Sequence, residues 1–198
     1  MNHPDISLRS PHLMNADDTA LLVIDMQEKI LPHIHQNHRI VWNTRRLVES
    51  AHLLKMEVGH TEQYPKGLGK TVDPISMLMT DRGSQPAEKT MFSCRECGQL
   101  FQKFAQQGIQ NLLLCGIETH VCLAQTALDL LAANFNIYVA VDAVGSRFQI
   151  DHQTALQRLQ YSGVVLTTTE AAMFEWCQNS KSNSFKQISR LAQEKLHE

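Results

Sequence analysis

Short apolar runs alternate along the chain with longer segments in which apolar residues recur at helical spacing. The runs are rich in branched residues, which is typical of strands buried on both faces of a parallel sheet. The predicted strands cover 20–24, 56–60, a short segment near 86–92, 111–115, 136–142 and 164–168. The predicted helices cover 40–54, a short turn at 73–79, 98–107, 119–133, 151–161, 169–177 and 182–195.

This alternation predicts an α/β fold: a three-layer, doubly wound parallel sheet with helices on both faces. In such sheets, ligands bind beyond the carboxyl ends of the strands, where the strand order reverses. We expect a Gly- and Pro-rich binding loop at 61–71, and helix caps at Thr119 and Thr169. The polar segment 1–18 is predicted to be an N-terminal arm, followed by a single domain over 19–198.

Composition narrows the function classes. A formal net charge of −2 over 198 residues provides no basic field for nucleic acid or an anionic membrane. No apolar run approaches a membrane span, and the first residues lack the apolar core of a signal peptide. Five cysteines without a secretion signal indicate free thiols in a reducing compartment. We therefore expect a cytoplasmic protein that binds neither nucleic acid nor membranes.

Cys122 is the first candidate for chemistry. The run Leu112–Cys115 ends at Gly116, and the helix predicted from Thr119 places Cys122 in its first turn. The N–H groups and dipole of a helix N-terminus favour a thiolate and an adjacent oxyanion. A small buried apolar role is the common fate of a free cysteine, so position alone leaves the two interpretations nearly even.

Asp25 and Lys89 are candidates of the same kind. Asp25 ends the first predicted strand and Lys89 lies at the third, so both could meet Cys122 at one edge of the sheet. Asp25 could accept the thiol proton, and Lys89 could stabilise both anions. Taken singly, each residue is more simply explained by its ordinary role, Asp25 as a turn acid and Lys89 as a solvated lysine.

Three motifs together carry a resemblance. The segments Leu21–Gln27, Glu88–Thr90 and Leu114–Cys122 resemble the isochorismatase-like cysteine hydrolases, in the same order and with compatible intervals. The loop Thr61–Gly69 and the segment Val141–Arg147 resemble the subgroup of isochorismatase domain-containing proteins. The similarity extends from about Thr19 to Cys177 and implies a six-stranded parallel sheet.

The resemblance also implies roles for individual residues. Asp25 would be the general base, Lys89 the lysine of the triad and Cys122 the nucleophile. A cis peptide would join Ile117 and Glu118, so that the N–H groups of Glu118 and Cys122 hold the oxyanion.

Further residues are candidates for the substrate site. Gln27 follows the base, and Phe92 could form a wall, while Thr119 begins the nucleophile's helix. The mouth of the pocket could be lined by Glu62, Gln63 and Tyr64. Loop geometry would explain these three equally well, and core packing would explain Phe92 equally well. We expect no cofactor and no catalytic metal, because His60 lacks the acid and further histidines that follow the second strand in metal-dependent nicotinamidases.

The sequence thus predicts a metal-independent cysteine hydrolase of a small molecule, acting on an amide-type C–N bond through a thioester. The alternative is a catalytically silent binding or scaffold protein of the same fold. The single CxxC of Cys94 and Cys97 lacks the two further ligands of a zinc site. It is more simply explained as two incidental thiols at a helix start, so a thiol oxidoreductase built on it is a more distant alternative. The family further suggests a homo-oligomer, with 185–191 as a candidate contact, although this segment could equally pack on its own sheet.

Overall fold

A six-stranded sheet forms the centre of the protein. The computed structural model describes residues 9–196. Its strands are β1 (Thr19–Ile24), β2 (Val58–Gln63), β3 (Ala87–Lys89), β4 (Asn111–Ile117), β5 (Asn136–Gly145) and β6 (Val165–Thr167). They lie in the order β3-β2-β1-β4-β5-β6, and all neighbours are parallel. The chain therefore winds outward in two directions from the central β1–β4 pair, as the sequence predicted.

Helices cover both faces of the sheet. In the described residues these are α1 (Asn37–Leu53), α2 (Pro65–Leu68), α3 (Asp73–Thr80), α4 (Gly98–Gln106), α5 (Ala124–Ala132), α6 (Gln149–Tyr161), α7 (Thr169–Cys177) and α8 (Phe185–Gln193). Buried side chains of α1, α3, α7 and α8 form one core with the sheet, and those of α4, α5 and α6 form the other. β1 serves both cores, because Leu21 and Val23 point to the first and Leu22 and Ile24 to the second.

Three strands continue past the ends that the sequence predicted. β2 continues through Thr61 to Gln63, a stretch predicted as loop, β5 continues to Gly145, and β4 continues to Ile117. The polar end of β2 hid its strand character, since apolar content was the signal used. Residues 59–62 are nevertheless buried, and the side chains of Thr61 and Glu62 bond to Asp25 and Thr71.

Both predicted caps were wrong. β4 runs through Gly116 to Ile117, and Thr119 is the first residue of a π-helical segment, Thr119–Leu123, with no side-chain cap. Thr168, rather than Thr169, caps α7 by accepting a hydrogen bond from the N–H of Ala171. Both errors are one-residue shifts at element ends, where propensity is least informative.

The described ends of the chain pack onto the domain. Of the predicted arm, 1–8 lie outside the described residues, but Met14 is fully buried and Arg9 donates to the carbonyls of Met14 and Glu175 at 3.0 and 2.7 Å. Ile188 and Leu191 of α8 are buried in the protein's own core. No helix among residues 9–196 is both long and apolar enough to cross a bilayer.

Candidate active site

The three candidate residues come together at the carboxyl edge of the sheet. Asp25 directly follows β1, Lys89 is the last residue of β3, and Cys122 lies in the segment that follows β4. β1 and β4 are the central pair from which the chain winds in opposite directions. The structure therefore places these residues at the point where doubly wound sheets bind ligands.

A buried ion pair joins the acid to the lysine. Lys89 Nζ lies 2.7 Å from Asp25 Oδ2, and the two side chains are 0% and 3% exposed. The ammonium also donates to Gln63 Oε1 at 2.8 Å and to the carbonyl of Phe92 at 3.0 Å. Thr61 Oγ1 donates to the other oxygen of Asp25 at 2.7 Å. A buried pair is stable only when its remaining donors and acceptors are satisfied, and here they are.

The charges of this pair act on the cysteine. Burial alone would lower the pKa of Lys89, but the charge and hydrogen bond of Asp25, together with Cys94 and Cys122, raise it overall. Burial, followed by the charge of Asp25, raises the pKa of Cys122, and Lys89 opposes this rise. At rest, therefore, Cys122 is a thiol beside a carboxylate that can accept its proton.

A cavity of about 240 Å³ opens above these groups. It is lined by Asp25, Ile30, Gln63, Leu68, Phe92, Ile117, Glu118, Val121, Cys122 and Arg147. Asp25 and Cys122 are 2% and 7% exposed, whereas Phe92 is 55% exposed. The cavity thus has a buried reactive floor and an open mouth, and it is smaller than the roughly 300–1,000 Å³ typical of drug-sized ligands.

Two of the predicted oxyanion residues also line this cavity. The peptide bond between Ile117 and Glu118 is cis, as the resemblance implied. The Glu118 side chain is 5% exposed, and its carboxylate accepts hydrogen bonds from the backbone N–H of Arg147 at 2.9 Å and from its Nε at 3.2 Å. The turn between β4 and the nucleophile is thereby tied to the end of β5.

Gln27 binds the protein's own loop. Its Nε2 donates to the carbonyls of Gln63 and Gly69 at 3.0 and 2.7 Å, and its Oε1 accepts from the N–H of Gln63 at 2.8 Å. It is fully buried and is not among the described residues that line the cavity. Gln27 therefore holds the loop after β2 against the segment after β1.

Three other predicted substrate residues lie away from the lining, whereas Phe92 is part of it. Glu62 is buried and accepts from the N–H and hydroxyl of Thr71 at 2.7 and 2.8 Å. Tyr64 is 55% exposed and precedes α2 with a left-handed φ of 38°. Thr119 is fully buried and its hydroxyl lies 3.0 Å from Nδ1 of His152.

The sequence interpretation missed two polar residues of the site, Thr61 and Arg147. Thr61 bonds to Asp25, and Arg147 lines the cavity. Gln63, predicted at the mouth of the pocket, lines the cavity and accepts a hydrogen bond from Lys89. Extending the predicted strand to Gln63 would have placed Thr61 on the same face, since residues two apart share one face. Arg147 ends the segment Val141–Arg147, for which the sequence analysis noted a family resemblance but no role of the arginine.

The pair Cys94 and Cys97 differs from a redox motif. Both thiols are free and buried. Burial, with a smaller contribution from Asp25, raises the pKa of Cys94 to about 12. Redox-active CxxC motifs instead have a depressed thiol pKa. Within the described part of the chain, no three His, Cys, Asp or Glu side chains are grouped to hold a metal ion.

Comparison with known proteins identifies the family. A family model described as the isochorismatase domain matches residues 19–171. Isochorismatase domain-containing protein 2 of Danio rerio is 39% identical over 178 residues, which cover 90% of this chain and 88% of that protein. Isochorismatase family protein 1A of Dictyostelium discoideum is 33% identical over 190 residues, covering 95% and 92%.

Solved structures agree with this assignment. The MAR1 ribonuclease of Caenorhabditis elegans superposes with a TM-score of 0.87 at 35% identity, covering 94% of this chain and 95% of that one. The YcaC gene product of Escherichia coli, described as an octameric hydrolase of unknown specificity, shares the fold with a TM-score of 0.84 at 20% identity, covering 93% and 91%. The chain therefore belongs to the isochorismatase family and has the fold of that family's hydrolases.

Proposed function

We propose that the protein is a metal-independent cysteine hydrolase that acts on an amide-type C–N bond of a small molecule. The observation that supports this most is the joint burial of Asp25, Lys89 and Cys122 at the carboxyl edge of the sheet, with the acid and the cysteine on one cavity floor. A base, a cation and a nucleophile in contact are what thiol activation requires.

The proposed reaction has two stages. Asp25 takes the proton of Cys122, whose Sγ attacks the carbonyl carbon while the N–H groups of Glu118 and Cys122 hold the oxyanion. The C–N bond then breaks, and Asp25 gives its proton to the departing nitrogen, which leaves a thioester. Asp25 next takes a proton from water, the hydroxide attacks the thioester, and the proton returns to Cys122 as the acid leaves.

The decisive test replaces the nucleophile. Cys122→Ala should abolish turnover across a panel of small amides, carbamoyl compounds and esters, with a rate loss of at least about 10³-fold, because Cys122 is the one cysteine among the described residues that line the cavity. Ammonia or amine release measures turnover, and mass spectrometry of quenched wild-type protein should show an acyl group on Cys122. Thermal melts should show that the variant is folded.

Cys177→Ala is the matched control. This variant removes a buried cysteine from the core on the other face of the sheet and should keep full activity. Turnover by Cys122→Ala would refute the mechanism. Ligand binding to the wild-type protein with neither product nor acyl-enzyme would instead favour the silent binding protein.

A ribonuclease activity is a distinct outcome to examine, since the Caenorhabditis elegans relative carries that name. The small cavity and the formal net charge of −2 favour a small molecule over a polyanion. Incubation with single-stranded RNA should therefore leave it intact. RNA cleavage that is lost in Cys122→Ala would identify RNA, instead of a small amide, as the substrate.

Assembly and location complete the proposal. Exposed Phe148 and Ile150 form adjacent apolar surface at the start of α6, which is typical of contact surfaces and supports a homo-oligomer. The predicted contact at 185–191 is less available, because its apolar side faces the core. Five free cysteines support a reducing, cytoplasmic location.

A further inference from the structure

We propose that Arg147 forms an anion subsite at the mouth of the cavity, so that the substrate is a small acyl compound carrying a carboxylate or similar anionic group. This inference rests on the proposed function and specifies its substrate class. Arg147 is the one basic residue among the described residues that line the cavity, and its side chain is 53% exposed.

The geometry leaves most of the guanidinium free for a ligand. Its Nε and the backbone N–H bond to Glu118, which fixes the direction of the side chain. Among residues 9–196, neither Nη group has a hydrogen-bond partner. Four of the five N–H donors of the fork therefore remain, in the planar arrangement that matches a carboxylate.

The other charges of the site are already compensated. The ammonium of Lys89 is 0% exposed and bonds to Asp25, Gln63 and Phe92. The Glu118 carboxylate is paired with Arg147, so this second pair is neutral as a whole, but it engages only Nε and the backbone N–H and leaves the Nη donors unpaired among residues 9–196. An incoming anion would therefore be held by the Nη donors of Arg147 rather than by the buried ion pair.

The depth of the cavity sets the orientation of the substrate. The nucleophile lies on the buried floor, whereas Arg147 and Phe92, two lining residues that are more than half exposed, lie at the mouth. A ligand with an electrophilic carbon at one end and an anionic group at the other would meet both. The apolar lining between them, Ile30, Leu68, Ile117 and Val121, suits a short hydrocarbon connection.

Two alkylating reagents of similar size test the subsite on the intact protein. Iodoacetate is anionic and iodoacetamide is neutral, and both transfer a group to the Cys122 sulfur with loss of iodide. The measured quantity is the second-order rate constant for iodoacetate at Cys122 divided by that for iodoacetamide. Both are obtained by peptide mass spectrometry at low ionic strength. Arg147→Gln should lower this ratio roughly five- to tenfold, the size of a charge-assisted hydrogen bond at a half-exposed site.

Two further variants separate the subsite from general charge effects. Arg158→Gln makes the same change on the exposed side of α6 and should leave the ratio unchanged. Arg147→Lys keeps the charge without the planar guanidinium and should give a ratio between those of Arg147→Gln and the wild type. An unchanged ratio in Arg147→Gln would overturn the proposal.

If Cys122 reacts with neither reagent, that result counts against the catalytic proposal alone. A binding measurement then tests the anion subsite. Ligand-observed NMR would compare benzoate and benzamide with the Cys122→Ser protein. Preferential binding of benzoate that is lost in Arg147→Gln supports the subsite. Equal binding of both compounds, or a preference that survives this substitution, contradicts it.

Discussion

At the scale of single residues, the site depends on how one carboxylate influences its two neighbours. Asp25 favours the cationic form of Lys89, and its charge adds to burial, the larger cause, in raising the pKa of Cys122. It does so from a left-handed backbone conformation with φ of 52°, which non-glycine residues seldom adopt. Such conformations persist where the surrounding structure fixes them. Here the N–H of Asp25 donates a hydrogen bond to the carbonyl of Thr61 at 3.2 Å.

Replacing this acid should separate thiol reactivity from turnover. Asp25→Asn removes the charge that raises the pKa of Cys122 and leaves Lys89, which lowers it. The rate of Cys122 alkylation by iodoacetamide should therefore shift about 1–3 pH units toward lower pH, while hydrolysis is lost with the base. Peptide mass spectrometry across a pH series measures the shift. Asp17→Asn, at an exposed position, should change neither quantity; an unmoved profile in Asp25→Asn would contradict the electrostatic link.

The residues that the sequence revealed differ in kind from those it missed. Asp25 directly follows an apolar run, and Cys122 lies in the helical turn after another, so the end of each run marked them. Thr61 lies inside a strand whose end is polar because that end bonds to the ion pair and to Gln27. The burial of Thr61 is a property of the assembled site, which the local pattern does not record.

At the scale of elements, one glycine sets the distance between the two central strands. Gly116 has φ of 110°, and a Cβ there would lie 2.1 Å from the carbonyl oxygen of Ile24. The β4–β5 register shifts between Leu114 and Gly116, just before the turn to the nucleophile. The sequence indicated only that the apolar run was interrupted, whereas the strand in fact continues through a close backbone contact.

Gly116→Ala should therefore be strongly destabilising. The added methyl must displace backbone atoms of β1, and the positive φ adds strain, so we expect a loss of about 3 kcal/mol or more in the free energy of unfolding. Urea denaturation measures it. Gly163→Ala is the matched control, since Gly163 has φ of 98° but nothing within 4 Å of the added Cβ. It should cost only about 1 kcal/mol; similar losses in both variants would show that the contact with Ile24 is unimportant.

At the scale of the whole molecule, the doubly wound topology brings remote residues to one edge. This much followed from the sequence, because apolar runs alternating with helices leave few arrangements. The pairing of β3 with β2 did not follow, since β3 has three residues and is joined by only three aligned pairs. That short pairing positions Lys89, so the least predictable strand carries one of the three candidate residues.

The same architecture buries a titratable group, His60, that is not part of the cavity lining. His60 of β2 is 3% exposed, and its Nδ1 lies 3.4 Å from the hydroxyl of Ser84. Burial lowers the pKa of His60 to about 4, although the charge of Glu62 opposes the shift. His60 is therefore neutral in the folded protein under conditions in which an unfolded chain would bind a proton.

Acid should consequently destabilise the fold through His60. Above the ordinary pKa of 6.5 the ring is neutral in both states, and stability does not depend on it. As pH falls from 6.5 toward 4 only the unfolded chain gains the proton, so the free energy of unfolding should fall by roughly 3 kcal/mol. Urea denaturation at several pH values in this window measures the slope. His60→Gln should flatten it and His12→Gln, at an exposed position, should not; equal slopes in His60→Gln and the wild type would assign acid sensitivity to other groups.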